Sequence, residues 1–515
     1  MLFLRSCVVV LAVVVLAARA ASAPEPFPGV DDKWHYYRSP NCELFSRVGD
    51  KESRALLFQL EQLQALFAQA ISSQQRRFTP ISIYYFSSPK TFLPYVQESM
   101  RSEDRTAGYH FANADRSVVA LSPAWDEEYS RRLIYHEFIH HVTSLTGEDP
   151  ALWYREGIAE VFSTFAEEAR GLVVGRPIPE HVQLLSRSRP IPLPVLFAAD
   201  HGSGSYNERN RVGMFYAQSW AVLHYWYFGD LKLTPDQQKA RERFFTYVRN
   251  EGDKGNAEVR RQLFEQAMGK TYEQMLDDLD RYFRSGRYRW TAFKHPDIPP
   301  ASSYERRPMS RDEIRDRLAE LDLRVNRAPK ARLQLLHAAE REPADPRSLE
   351  ALGTDYYYQG DLERARERWR QALTAGSKNP AIYYELMQIE WHRWFERFDY
   401  YFRMPDETAE ELRALALESL AVAPRQAFAY ELLAWVEASA VNPVLANVNT
   451  VQENVASVAS PLRTLLALAM LRLRVDDLPT ASKLLDVIER HPKGAEFSGP
   501  CQTLRERIEK RAAGL

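Results

Sequence analysis

His136-Glu137-Phe138-Ile139-His140 is the stretch of this sequence that decides how its first half folds. On a helix, side chains four positions apart share one face, with Cβ atoms about 5–6 Å apart. Two imidazoles at that spacing can bind one Zn²⁺ at about 2.0–2.1 Å. Glu137 lies one residue round from that face, where it can hold and deprotonate a metal-bound water. The surrounding residues are apolar and predict a buried helix: Leu133, Ile134, Phe138, Ile139 and Val142.

A second stretch supports the interpretation of the histidine pair. Support is needed because a pattern with three fixed positions arises by chance in about one chain in a hundred of this size. A catalytic zinc site keeps three protein ligands and one open position. Trp153-Tyr154-Arg155-Glu156-Gly157-Ile158-Ala159-Glu160 offers Glu156 as the third ligand. Glu160, one turn further, suits an outer carboxylate that accepts the other ring N–H of a ligating histidine. Small Gly157 and Ala159 predict close packing of this helix against the first. The alternative is a solvated acidic face on an amphipathic helix.

Other ligand sets fit less well. A metzincin would need Gly at position 143 and His at position 146, where this chain has Thr143 and Thr146. His141 follows His140 directly and is predicted to point away from the metal face. Asp149 could serve as a carboxylate ligand of another type, but a position as helix N-cap, with Pro150 at the first helical residue, explains it adequately.

These residues together resemble the gluzincins, the clan of thermolysin and aminopeptidase N, and look closest to the bacterial peptidase MA-like proteins. Many of those are exported and joined to tetratricopeptide repeats. The resemblance covers roughly residues 34–290 and extends to Ala107-Gly108-Tyr109 through Val119-Ala120-Leu121 and to Phe215-Tyr216-Ala217-Gln218-Ser219-Trp220. It implies an α+β fold, with a thermolysin-like gluzincin catalytic domain followed by an all-α tetratricopeptide-type solenoid.

The resemblance also implies roles for the residues. Zn²⁺ would be bound by His136, His140 and Glu156, with Glu137 as general base and acid. The strand Ser117–Leu121 would be the edge along which an extended peptide lies. Tyr216 is the candidate donor to the oxyanion; a structural role in the core is the alternative for Tyr216, and His224 competes for the donor role. The spacing from His140 to Glu156 is shorter than in thermolysin, which requires a tighter turn. No acidic exopeptidase motif is found, so aminopeptidase activity is not expected.

The N-terminus has the order of a secretory signal. Arg5 precedes an apolar run, Cys7 to Ala18, and the small residues 20–23 follow, which predicts a signal peptide over residues 1–20. The protein is therefore expected to be exported, to the periplasm or outside the cell; an uncleaved N-terminal anchor is the alternative. No later run approaches the ~20 apolar residues of a membrane-spanning helix.

Charge and cysteine content narrow the chemistry further. Lys and Arg total 67 against 69 Asp and Glu, a balance that does not favour nucleic acid as a partner. After signal removal only Cys42 and Cys501 remain, too few for a thiolate metal site. A metal in this protein must therefore be held by histidine and carboxylate.

The pattern of apolar and turn residues divides the mature chain into two parts. Residues 34–290 mix helices and strands, residues 291–310 read as a Pro- and Ser-rich linker, and residues 311–515 read as successive helices. The predicted elements of the first part are helix 54–70, strand 80–86, strand 117–121, helix 128–144, a helix starting at 149–150, a long loop over 175–210, and helix 216–228.

The second part contains the spacing of a tetratricopeptide repeat, a 34-residue helical hairpin. The residues that carry it are Leu352, Gly353, Tyr356, Gly360, Ala365, Trp369, Ala372 and Pro380. The small residues are predicted to let the two helices approach, with Tyr356 and Trp369 filling the gap. Leu415–Pro424 and Leu466–Pro492 read as weaker units, which predicts a short α-solenoid.

Two functions are consistent with the sequence. The first is an exported zinc metallopeptidase that hydrolyses peptides or proteins, with repeats that present substrate or bind a protein partner. The second is an inactive peptidase-fold scaffold that acts through its repeats. The presence of Glu137 beside all three ligands favours the first, because a scaffold has no physical need of a general base.

Overall fold

A six-stranded mixed β-sheet organises the first part of the chain. The computed structural model describes residues 27–71, 75, 77–98, 108–122, 127–169, 171–200, 202, 209–252, 255–341, 343–455, 461–491 and 493–513. The predicted signal peptide, residues 1–20, lies outside these ranges. Side by side, the strands are β4 (Gly108–Ala112), β5 (Ser117–Leu121), β3 (Ile81–Tyr85), β2 (Cys42–Ser46), β1 (His35–Arg38) and β9 (Glu305–Pro308). The predicted mixture of helices and strands is confirmed.

The edge of this sheet beside the His136–His140 motif is β4, not β5. β5 pairs in parallel with β3 on one side and antiparallel with β4 on the other. The prediction that Ser117–Leu121 is the edge strand was therefore wrong. All five of its residues are buried, and a nearly continuous apolar run is the pattern of a strand that is covered on both faces. A tight turn, in which the Asn113 N–H donates to the Arg116 carbonyl at 3.1 Å, folds β4 back to take the edge.

Each face of the sheet carries its own apolar core, because successive side chains of a strand point to opposite faces. On β5, Val119 and Leu121 lie in the first core, and Val118 and Ala120 lie in the second. Helices that contribute to the first core include α1 (Asp50–Ile71), α3 (Glu127–Ser144), α4 (Leu152–Ser163) and α7 (Arg209–Phe228). The second core is closed by α11 (Arg311–Asn326), α12 (Pro329–Ala339) and α13 (Pro346–Tyr358).

The other elements of the first part surround the first core. They are α2 (Pro89–Phe92), α5 (Pro179–Arg187), α6 (Leu193–Phe197), α8 (Pro235–Glu251), α9 (Ala257–Met268), α10 (Tyr272–Arg284), and a small antiparallel sheet of β6 (Ala166–Glu168), β7 (Gly171–Val174) and β8 (Thr291–Phe293). The helices predicted at 54–70, 128–144 and 216–228 and the strand predicted at 80–86 are confirmed, and each corresponds to one observed helix or strand. The helix expected at Asp149–Pro150 begins instead at Leu152 with Ala151 as its N-cap, without a side-chain cap.

Residues 291–310, predicted as a linker, contain two strands. β8 pairs with β7, and β9 adds an outer strand to the large sheet beside β1. The following helices then cover the outer face of that sheet, so residues 34–290 and residues 311–352 build one core together. Buried ion pairs reinforce this junction: the Arg324 guanidinium donates to both carboxylate oxygens of Asp115 at 2.7 and 2.8 Å, and Arg116 donates to Glu350 at 3.0 Å.

The rest of the chain is helical. Its helices are α14 (Leu362–Thr374), α15 (Pro380–Trp394), α16 (Asp406–Val422), α17 (Ala427–Ser439), α18 (Leu445–Glu453), α19 (Pro461–Arg474), α20 (Leu478–Arg490) and α21 (Ser498–Ala512). α13 and α14 pack closely: a Cβ added at Gly353 would lie 2.4 Å from the Trp369 ring, whose N–H donates to the Glu350 carbonyl at 3.2 Å. The predicted close approach at Gly353 is confirmed.

No helix in the described part of the chain combines the length and the apolar composition needed to cross a membrane.

Candidate metal centre

The structure brings His136, His140 and Glu156 together on two adjacent helices. The histidines lie one turn apart on α3, and Glu156 lies in the second turn of α4. Only seven residues, 145–151, separate the two helices, so α4 turns back directly against α3. This is the tight turn that the short spacing between His140 and Glu156 requires.

The three side chains present their ligand atoms to a single point. The Nε2 atoms of His136 and His140 are 3.0 Å apart, and Oε2 of Glu156 lies 3.4 Å from the first and 3.3 Å from the second. In a tetrahedral site with bonds of about 2.0–2.1 Å, neighbouring ligand atoms are about 3.3 Å apart. The observed triangle therefore has the size of one face of a zinc tetrahedron.

Burial supports the same interpretation. Glu156 is 4 % exposed and His136 is 8 % exposed. Oε2 of Glu156 is buried and faces both imidazoles, at 3.3–3.4 Å. A buried carboxylate is costly unless it is paired with a cation or with hydrogen-bond donors. This is the one such group of metal-type side chains in the part of the chain that the structure describes, and its two imidazoles and one carboxylate are a donor set that zinc accepts.

Glu160 lies beside His136, on the Nδ1 side of its ring. Its Oε1 lies 3.4 Å from Nδ1 of His136, so that Nδ1–H can donate to the carboxylate and leave Nε2 free to bind a metal. Burial alone would lower the pKa of His136, but the carboxylates of Glu160 and Glu156 outweigh it and raise that pKa well above its usual value. The acidic surroundings therefore favour a positive charge at this point.

Glu137 lies beside the sheet edge, next to His136 in the sequence. α3 packs against β4, and the Glu137 carboxylate accepts a hydrogen bond from the backbone N–H of His110 on that strand. Burial raises the pKa of Glu137 above its usual value, while His136 and His140 oppose the increase. A carboxylate with a raised pKa is a better proton acceptor near neutral pH.

Tyr216 and His224, the two candidates for the oxyanion donor, lie in different environments on α7. The Tyr216 ring is half-buried, with its centroid 6.0 Å from that of His136. His224 is fully buried, with Nε2 at 2.7 Å from the Gly175 carbonyl and Nδ1 at 3.2 Å from the Tyr282 hydroxyl. Both nitrogens of His224 are thus engaged in the core, which removes it as a candidate and leaves Tyr216.

The environment of His224 predicts a pH effect on stability. Burial lowers the pKa of His224 to about 4, below the usual 6.5. The unfolded chain therefore binds more protons between pH 6.5 and 4, so stability falls as the pH falls through that window. We expect this histidine to account for a loss of about 2 kcal/mol in the free energy of unfolding between pH 7 and 5.

Urea unfolding at pH 7 and 5 measures that loss. His224→Gln keeps a donor for the Gly175 carbonyl and does not titrate, so its stability should depend less on pH than that of the parent. Exposed His337→Gln serves as the control and should follow the parent. Equal pH dependence in the parent and in His224→Gln would contradict the prediction.

Gly157 faces α7 rather than α3. A Cβ at this position would lie 2.5 Å from the Ser219 carbonyl oxygen, so Gly157 allows the close approach of α7. The predicted packing of α4 against α3 is also present. α4 is held between α3 and α7. The glycine next to Glu156 therefore fixes the position of that carboxylate by letting two backbones approach.

Gly157→Ala should destabilise the fold by about 1–3 kcal/mol, because the backbone of Ser219 cannot move aside as a side chain could. Chemical unfolding with urea measures the loss. The matched control is Gly499→Ala in α21, where the added Cβ meets no atom within 4 Å and stability should be unchanged or slightly higher. Equal stability of the parent and Gly157→Ala would contradict the packing described.

Two histidines beside the site were not identified from the sequence. His110 of β4 has ring centroids 6.4 Å from those of His140 and His141, and His181 of α5 lies 3.2 Å from Glu160. Both come from segments far from the motif, so only tertiary contacts reveal them. His141 stays outside the ligand group, as predicted; burial lowers its pKa to about 3.

No protein-family model matches this chain, and no curated protein matches it. Support for a function therefore comes from the geometry of the site.

Proposed function

We propose that this protein is a zinc-dependent peptidase that hydrolyses peptide bonds in extended polypeptide. The observation that carries the proposal is the convergence of His136, His140 and Glu156 at 3.0–3.4 Å, with Glu137 beside them on the same helix. Three protein ligands next to a carboxylate base form the arrangement of hydrolytic zinc sites, whereas a structural site uses four ligands.

The roles of the residues follow from their positions. Bound Zn²⁺ would polarise the scissile carbonyl and lower the pKa of the attacking water. Glu137 takes the proton of that water and passes it to the leaving amine; its hydrogen bond from the His110 N–H holds the carboxylate in place. Tyr216 is our candidate to donate its phenol O–H to the oxyanion that develops on the substrate, because its ring lies beside that of His136.

The position of β4 supports extended polypeptide as the substrate. β4 has a strand neighbour, β5, on one side only among the described residues, and α3 packs beside it. An extended peptide can pair with such an edge through main-chain hydrogen bonds, which depend little on its sequence. The scissile bond would then pass Glu137, which touches the same strand.

The proposal extends to the domain organisation of the chain. We propose that residues 34–290 form a thermolysin-like gluzincin domain and that the helices after residue 311 form a tetratricopeptide-type solenoid that binds substrate or a protein partner. α13 and α14, with Gly353 against Trp369, support the repeat assignment. Export to the periplasm or the medium is part of the proposal and rests on the sequence of residues 1–20.

The direct test is hydrolysis of an unfolded protein such as reduced, alkylated casein. The expected result is cleavage that stops with 1,10-phenanthroline and returns when Zn²⁺ is added. Cleavage that is insensitive to the chelator would contradict a zinc peptidase. No cleavage by zinc-loaded protein would favour the alternative, an inactive scaffold that acts through its repeats.

A further inference from the structure

A short helix from outside the motif reaches the metal centre. α5 packs against α7 and α10, with Val182 and Leu185 against the first core. Glu180 on this helix forms an ion pair with Arg132 of α3, at 3.2 Å. α5 is therefore attached to the helix that carries both histidine ligands.

The segment after α5 is also anchored. The Gln218 side chain of α7 accepts from the Ile191 N–H and donates to the Ile191 carbonyl, both at 2.6 Å. Gln218 is 1 % exposed, and such a buried two-point contact fixes the path of the chain. The predicted long loop over residues 175–210 thus contains, in its described part, two helices held against the catalytic core.

His181 is the residue of α5 that points at the centre. Its Nε2 lies 3.2 Å from Oε2 of Glu160, and its ring packs on Trp220 with centroids 5.7 Å apart. This Nε2 is buried and makes no hydrogen bond of full geometry, so the Glu160 carboxylate at 3.2 Å is the acceptor available to it.

The two oxygens of Glu160 consequently serve two different histidines. Oε1 faces Nδ1 of His136, and Oε2 faces Nε2 of His181. A carboxylate with a donor on only one oxygen can rotate about its last side-chain bond, whereas a donor on each oxygen fixes its plane. The orientation of the His136 ring depends on that plane, because Nδ1–H follows the oxygen that accepts from it.

We propose that His181 is a positioning residue of the metal centre, which holds Glu160 so that Glu160 orients His136 toward the metal. The inference rests on the proposed zinc site and adds a third element, α5, to α3 and α4. Loss of an outer-shell partner typically weakens metal binding by 10–100-fold. Since His181 acts through Glu160, we expect His181→Ala to weaken Zn²⁺ binding by about tenfold, at the low end of that range.

The test measures Zn²⁺ affinity of the full chain by competition with a chelating dye, and the visible absorption spectrum of the Co²⁺-loaded protein. His181→Ala should bind Zn²⁺ about tenfold more weakly and change the Co²⁺ bands. His181→Gln, which keeps an N–H donor, should recover most of the affinity. Gln183→Ala, at an exposed position of α5 that takes no part in the contact with α3, is the matched control and should resemble the parent.

A double-variant cycle separates this role from general destabilisation. If His181 acts through Glu160, then Glu160→Ala with His181→Ala should lose no more affinity than Glu160→Ala alone. Unchanged Zn²⁺ affinity and Co²⁺ bands in His181→Ala would overturn the inference while leaving the zinc site intact. Additive losses in the cycle would also overturn it. A parent protein that binds no Zn²⁺ would instead overturn the proposed function.

Discussion

Glu137→Gln is expected to lower kcat/KM by about 10²–10⁴-fold while the protein still binds zinc. The amide has the shape of the carboxylate but cannot take a proton from the attacking water. Glu137 does not belong to the group formed by His136, His140 and Glu156, so the metal should stay. Steady-state cleavage of a fluorogenic peptide, combined with zinc analysis of the same sample, measures both quantities.

The matched control for this variant is Glu128→Gln, a carboxylate on an exposed position of the same helix. It makes the same chemical change without removing the proposed base, so activity should stay close to that of the parent. Full activity in Glu137→Gln would show that Glu137 is not the general base. Loss of zinc in that variant would show instead that Glu137 acts as a ligand.

Removing the metal should lower the stability of the protein substantially. A ligand that binds only the folded state stabilises it by about 4.1 kcal/mol when its free concentration is 1,000 times its Kd. Without the cation, the buried Oε2 of Glu156 and the two imidazole Nε2 atoms, 3.0 Å apart, lie against one another with no metal to hold them together. We therefore expect a clear fall in Tm after treatment with a chelator.

Scanning calorimetry with and without chelator measures this shift. Adding back one equivalent of Zn²⁺ should restore the parent Tm, whereas Mg²⁺, which prefers oxygen ligands, should not. The Glu156→Ala variant provides the control, since its Tm should respond less to zinc. A parent protein with the same Tm in chelator and in zinc would contradict a metal centre of this kind.

The local parts of the structure were predictable from the sequence. The histidine pair and Glu137 depend only on helical geometry, and α3 is confirmed as a helix over the expected residues. Glu156 could be predicted because α4 directly follows α3 in the sequence and carries carboxylates one turn apart. The periodicity of the apolar residues and the turn residues likewise predicted α1 and β3.

Contacts between distant segments were not predictable. Strand order depends on pairing, so five buried residues in β5 did not show that Gly108–Ala112 would take the edge. β9 pairs with β1 across about 270 residues of sequence, and its Arg-rich segment has no apolar alternation to mark it as a strand. His181 contacts Glu160 only because α5 packs on α7.

The shared core has a practical consequence for experiments on the repeats. α11–α13 cover the outer face of the large sheet with Ile314, Leu318 and Leu352 among the buried residues. A fragment that starts at residue 311 would expose the apolar residues of α11–α13. A fragment without these helices would expose the outer face of the sheet. Binding studies of the helical part are therefore better made on the full chain.

The proposed metal centre is tested most directly by the zinc content of the protein that begins at Ala21, measured by elemental analysis beside the Glu156→Ala variant. We expect about one zinc per chain in the parent and a sharp reduction in the variant. A parent chain without zinc after reconstitution, or a variant that keeps as much zinc as the parent, would contradict it.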